Sequence, residues 1–239
     1  MSRMRFGIIA ALVCAAWRAP AAAPIDPVLA KQLQELDARV AKIQDMTANF
    51  EQRKFTAMLR KPLVSSGRIR IKGSVMRWDT EKPEPTVMVI DERQVKMFYV
   101  KGKALEVYPI GQRLGQLAAS PLPKLSVLEK YFSIAPADAK DLLDKPDEGP
   151  RLALKLTPTD SSLREHLDHV RALIDTAAAV IVKIEMTDAD GDRTVISFRD
   201  IKLNTGIQDR DLELSVPEGT TVTYPLGRGG EGPSGNTSK

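Results

Sequence analysis

The stretch Ser65–Pro85, SSGRIRIKGSVMRWDTEKPEP, constrains this chain more than any other, because it spells two consecutive strands and the turn between them. In Gly67-Arg68-Ile69-Arg70-Ile71-Lys72 the apolar Ile69 and Ile71 alternate with Arg68, Arg70 and Lys72. Side chains two apart share a face of a strand, so this strand has one apolar and one cationic face. Gly73-Ser74 supplies the turn, Val75-Met76-Arg77-Trp78-Asp79 returns, and Pro83 and Pro85 end strand pairing. A chain of 239 residues built on such hairpins can bury a core within one β-rich domain.

The start of the chain follows other rules. Arg3 and Arg5, the apolar run Phe6 to Trp17, and Ala19-Pro20-Ala21-Ala22-Ala23 have the layout of a secretory leader, with cleavage expected after Ala21. The apolar run is shorter than the roughly 20 residues that span a bilayer. The expected organisation is a leader over 1–23, one domain over 24–225 and a disordered tail over 226–239; from Gly227 the tail has no apolar residue. The single cysteine, Cys14, lies in the leader, so the exported protein needs neither disulfides nor thiol chemistry. The leader also holds Arg3, Arg5 and Arg18 and no acid, and 35 basic residues less 3 leaves 32 against 31 acidic ones. A nearly neutral exported chain has no electrostatic footing for nucleic acid, and no nucleic-acid partner is expected.

Ile25-Asp26-Pro27 opens a helix, with Asp capping free amides and Pro at the first helical position. Leu29, Leu33, Leu36, Val40 and Ile43 continue it as an amphipathic stripe. Strands are expected over Thr47–Phe55, Thr86–Asp91, Gln94–Val100, Ala104–Tyr108, Arg151–Leu156, His166–Asp175, Val180–Thr187, Arg193–Ile201 and Asp211–Val216. Phe50 and Phe55 fall on opposite faces, and Val87-Met88-Val89-Ile90 is apolar on both, which requires cover on both sides of the sheet. Between Gly111 and Leu143, Leu125, Leu128 and Phe132 have helical spacing and Ala137 to Leu143 allows another turn or two, a helical cover over the sheet. The sum is an α+β architecture of about ten antiparallel strands.

Motifs for bond chemistry are missing. Asp188, Asp190 and Asp192 have the look of a calcium loop, but Gly191 is fourth rather than sixth and Arg199 stands where the closing Glu belongs, so a hairpin turn is expected. His166, Asp168 and His169 lack a third histidine, no G-x-S-x-G elbow occurs, and Gly227-Arg228-Gly229-Gly230 lacks the Lys-Ser/Thr of a phosphate loop. A glycosidase carboxylate pair is left open by spacing alone. No metal and no cofactor are expected. Methionine adapts to variable apolar partners, so Met76, Met88, Met97 and Met186 read either as ordinary core or as the wall of an acyl-chain cavity.

The order of several features resembles the LolA family of periplasmic outer-membrane lipoprotein carriers. They are the leader, the amphipathic helix, Phe50-Glu51-Gln52 (like the family's F-x-Q), Ser66-Gly67-Arg68-Ile69-Arg70-Ile71-Lys72, and Trp78 with Pro83 in W-x4-P spacing. Asp91 ahead of Phe98-Tyr99 and the closing Leu212-Glu213-Leu214-Ser215-Val216-Pro217-Glu218-Gly219 complete the match over roughly Pro27 to Val222. The resemblance implies a half-open antiparallel barrel whose concave apolar face is lidded by helices. It also implies a monomeric, non-enzymatic periplasmic carrier that takes acylated lipoproteins, or another acyl-chain lipid, from an inner-membrane ABC transporter to an outer-membrane receptor. Strand alternation selects Ile69, Ile71, Trp78, Met88, Ile90, Met97 and Tyr99 as the lipid-binding lining. The family's Lys-Arg-Pro, whose Arg holds the lid, is replaced by Lys72-Gly73-Ser74, leaving Arg70 or Arg77 as candidate substitutes, and Glu92-Arg93 stands where a Gly is expected after Asp91. Rival readings are a lipid- or lipoprotein-sensing regulatory domain on the same fold and an envelope hydrolase.

Overall fold

The structure is a computed structural model and describes residues 25–110, 123–144 and 149–227. The leader expected over 1–23, part of the helical cover and the tail from 228 onward lie outside the described residues. Among the described residues twelve strands form one sheet: β1 (Asp45–Phe55), β2 (Leu63–Lys72), β3 (Val75–Lys82), β4 (Thr86–Ile90), β5 (Gln94–Tyr99), β6 (Ala104–Pro109), β7 (Phe132–Pro136), β8 (Arg151–Pro158), β9 (Leu167–Asp175), β10 (Val180–Asp188), β11 (Arg193–Leu203) and β12 (Thr221–Thr223). Their order is β12-β6-β5-β4-β3-β2-β1-β11-β10-β9-β8-β7, an open sheet in which β1 bridges two meanders. All pairs are antiparallel except β12 with β6.

Helix α1 (Pro27–Val40) starts as its sequence dictates, the Asp26 carboxylate accepting from the amides of Val28 at 2.8 Å and Leu29 at 3.1 Å. Its stripe of Leu29, Leu33, Leu36 and Val40 is buried against Leu154, Leu156 and Ile174 of β8 and β9 and against Phe132 and Ile134 of β7. The short helix α2 (Leu125–Leu128) has no cap of its own; the Asp37 carboxylate of α1 accepts from the Leu125 amide at 3.1 Å and takes that part. Burial pushes the Asp37 carboxyl up, an effect that the Leu125 amide and the Lys124 charge oppose. A single turn, α3 (Ser161–Arg164), precedes β9.

Two segments depart from the sequence reading. Phe132 does not extend α2: it opens β7, where Phe132 and Ile134 alternate inward and pair with Pro158 and Leu156. The spacing of Leu125, Leu128 and Phe132 suits a helix, but Phe-Ser-Ile also has a period of two, and the free edge of β8 decides between them. Asp211–Val216 is not a strand. It begins as the end of a 3-10 turn, Asp209–Asp211, and then crosses the strands instead of lying beside one. Asp209 meets Lys72 of β2 at 2.6 Å, the Glu213 carbonyl accepts from Arg77 of β3, and Leu214 packs on Phe98 and Leu105 of β5 and β6. The chain finally pairs with the edge of β6 as β12.

This crossing is fixed at its start by Asp45. The buried carboxylate accepts from the Thr205 amide (2.7 Å) and hydroxyl (2.9 Å), the Gly206 amide (2.9 Å) and the Ile207 amide (3.3 Å). Gly206 supplies the left-handed backbone, at φ +77°, that turns these amides inward. Burial works to raise the Asp45 carboxyl, and the four hydrogen bonds prevail and hold it below its ordinary range.

Candidate functional site: an open apolar sheet face

Because β2 to β6 form a meander, residues of one parity line up across the strands. One row reads Ala48, Ile69, Trp78, Met88, Met97 and Glu106, each directly opposite the next. The adjacent row reads Met46, Ile71, Met76, Ile90, Val95 and Tyr108. Tyr99 falls two residues beyond Met97 on the same face. All seven residues selected from strand alternation therefore stand on one side of the sheet.

That side is also the helix side. Register carries it from Gln52 through Ile196, Ile184 and Ala172 to Leu154, which packs beneath α1. The helices lie over the β7–β9 end, whereas Met76, Trp78, Met88 and Met97 are half-buried at the other end. Ile69 and Ile71, at 1% and 2% exposure, are packed among Met46, Ala48 and Phe50 and form the floor rather than the surface. Ile90 is buried and Tyr99 is exposed at the rim.

Sequence reasoning missed the aromatic partners of Trp78. Its ring lies 4.2 Å from that of Phe50, tilted by 42°, and 6.2 Å from that of Phe198, edge on. Met76, which the sequence left open as core or cavity wall, also stands here, two residues before Trp78 on the same face. At the β6 end the apolar row stops at Glu106, which accepts from the hydroxyls of Tyr99 (3.0 Å) and Tyr108 (2.7 Å). Burial first and then Glu106 push the Tyr99 phenol up; for Tyr108 the bond to Glu106 is the larger cause, so both remain neutral donors.

The opposite face is polar and braced at β2 and β3 and apolar under the crossing segment at β4 to β6. Arg70 and Arg77 both stand there and share Asp79, at 2.6 Å and 2.8 Å, so neither is placed on the apolar face to replace the family's lid arginine. Val87, Phe98, Leu105 and Val107 of this face are covered by Leu214, the second cover that the strand Val87–Ile90 demanded. Between the crossing segment and the sheet lies a cleft of about 470 Å³ lined by Lys72, Val75, Val89, Lys96, Leu212 and Leu214 among others. Glu185 gathers Arg171 at 2.5 Å and Arg193 at 2.8 Å; burial raises its carboxyl, but the two guanidinium groups win and hold it low.

The residues considered for chemistry are not assembled. Asp188 to Asp192 is a hairpin turn closed by the Asp188 amide donating to the Asp192 carbonyl at 2.8 Å, and Lys54 faces its carboxylates at 3.8–3.9 Å. The His169 Nδ1 meets Asp168 at 2.6 Å. Among the described residues no group of three His, Cys, Asp or Glu side chains is placed to hold a metal ion, and no helix is long and apolar enough to cross a membrane.

An unclosed antiparallel sheet, with helices on its apolar side and a chain segment strapped across the other, defines an open half-barrel. Residues 41–212 match the family described as outer membrane lipoprotein carrier protein LolA, and the chain belongs to that family. It is similar to the outer-membrane lipoprotein carrier protein of Azotobacter vinelandii, 25% identical over 194 residues that cover 80% of this chain and 87% of that one. The protein of the same name from Pseudomonas putida KT2440 is 24% identical with the same coverage. Both relatives are named as carriers rather than as enzymes. A crystal structure of an uncharacterized conserved protein from Thermus thermophilus shares the fold with a TM-score of 0.52, at 14% identity, covering 80% of this chain and 98% of that one.

Proposed function

We propose that this protein is a periplasmic carrier that shields acyl chains of lipoproteins against the apolar sheet face and does no bond chemistry. The observation that carries the reading is the cross-strand row Ile69–Trp78–Met88–Met97, apolar across β2 to β5 and half-buried where it leaves the helices. Trp78, Met88, Met97 and Tyr99 are the contact surface, and Ile69, Ile71 and Ile90 are its floor. Acyl chains gain about 0.8 kcal/mol per buried CH₂, so crossing an aqueous space requires such cover. The unbranched methionines fit a chain that has no fixed shape.

In this reading the leader is cut off on export, residues 24–225 act as one domain and residues 226–239 form a tail. The monomer accepts cargo from an inner-membrane ABC transporter and delivers it to an outer-membrane receptor. The test is release from spheroplasts depleted of their own carrier. Triacylated lipoproteins in the soluble fraction, bound to the added protein, support carriage. Their absence with folded protein rejects it in favour of a lipid-sensing domain.

A further inference from the structure

We propose that the tip of the β1–β2 hairpin is a membrane-docking element that enters the interface of an anionic phospholipid bilayer. The hairpin ends at the pair Lys54–Leu63, and the loop beyond it has a defined shape. The Thr56 hydroxyl accepts from the Met58 amide at 3.1 Å and the Thr56 carbonyl from the Leu59 amide at 3.2 Å. This turn presents Met58, 93% exposed, and Leu59 to solvent, with Leu63 (57%) and Val64 exposed at the base of the loop. Exposed apolar residues scattered singly need no explanation, but four within seven positions gather at this one hairpin end, Met58 and Leu59 at its tip.

Charge identifies the partner. From Arg53 to Val64 the chain holds Arg53, Lys54, Arg60 and Lys61 and no acidic residue. Arg53 is engaged by Glu51 at 2.7 Å and Lys54 faces Asp188 and Asp192, whereas Arg60 and Lys61 are exposed and have no ion pair among the described residues. Apolar side chains at a tip, with cations beside them, suit acyl chains below and phosphates above. A protein partner suits it less well, since stable protein interfaces bury about 800 Å² a side and centre on aromatic anchors, and this loop is small and its exposed tip has none.

The inference concerns how the protein meets a membrane and stands apart from acyl-chain binding at the sheet face. The test is flotation of the leaderless chain with phosphatidylcholine vesicles with or without phosphatidylglycerol. Binding is expected only to the anionic vesicles. The double variant Met58→Asp/Leu59→Asp loses about tenfold or more in affinity, and Arg60→Glu/Lys61→Glu loses the salt-sensitive part. Both variants keep the circular dichroism and the acyl-lipid binding of the parent, because these side chains lie outside the core. In the leaderless chain, which has no cysteine, Met58→Cys carrying an environment-sensitive fluorophore reports a blue shift on insertion. No flotation of the parent, flotation unaltered by the double variant, or flotation lost instead with Met88→Glu overturns the proposal.

Discussion

Phe50 of β1 and Trp78 of β3 touch across an intervening strand, their ring centroids 4.2 Å apart. The residue of β2 paired directly with Phe50 is Gly67, where a register shift brings the backbone of β3 close. A Cβ at Gly67 would lie 1.9 Å from the Asp79 carbonyl oxygen, and no flexible side chain can yield there. Gly67→Ala is therefore expected to destabilise the fold by about 3 kcal/mol, seen as a lower urea midpoint with an unchanged slope. A midpoint within error of the parent would show that β2 and β3 separate freely.

Charge on the apolar row separates binding from folding. Met88 is half-buried and directly opposite Met97, so Met88→Glu places a carboxylate on the face proposed to hold the acyl chain, with expected losses of about tenfold or more in affinity for a fluorescent acyl lipid. Lys96, adjacent to Met97 on the other face, is the control, and Lys96→Glu should bind normally. Ile71→Glu is a poor probe, because at 2% exposure it puts charge in the core and is expected to unfold the protein. Equal loss in Lys96→Glu would reject the apolar face as the binding surface.

Asp45 makes stability depend on acid. Its folded pKa lies below its unfolded value of about 3.9, so its contribution is complete above that value and lost as pH falls through the folded pKa. Asp45→Asn keeps the shape but halves the acceptor capacity, with an expected cost of about 2–3 kcal/mol at neutral pH and a shallower decline of stability below about pH 4. Urea titrations at several pH values measure both. The same decline in parent and variant would assign the acid sensitivity elsewhere, Glu185 being the next candidate.

Arg77 ties the crossing segment to the sheet through the Glu213 carbonyl while holding Asp79. Arg77→Met should leave the sheet intact and loosen residues 209–216, raising their amide exchange by about tenfold, since local openings are governed by local contacts. Faster exchange confined to β3, with the segment unchanged, would show that Leu212 and Leu214 hold it without the arginine.

Much of the fold was legible in the residues. The cap and stripe of α1, the alternation of Ile69 and Ile71, the opposite placement of Phe50 and Phe55, and the need for cover on both sides of Val87–Ile90 are local patterns. Each follows from the period of its own element, and the LolA resemblance followed from their order. The lining residues were chosen by parity, and parity survives in a regular meander because each hairpin transmits it to the next strand.

The rest was decided by partners distant in sequence. Leu212 and Leu214 alternate as a strand would, yet Asp45, some 160 residues earlier, turns the chain at Gly206 and sends it across the sheet. Phe132 became a strand because β8 offered an edge, and Ile69 and Ile71 became floor because Met46, Ala48 and Phe50 of the neighbouring strand pack against them. Arg70 and Arg77 lie away from the apolar face by the same parity that put Ile69 and Trp78 on it. Periodicity within a segment determined which side chains travel together; only the pairing of remote segments, which fixes burial and hydrogen bonding, determined what each face meets.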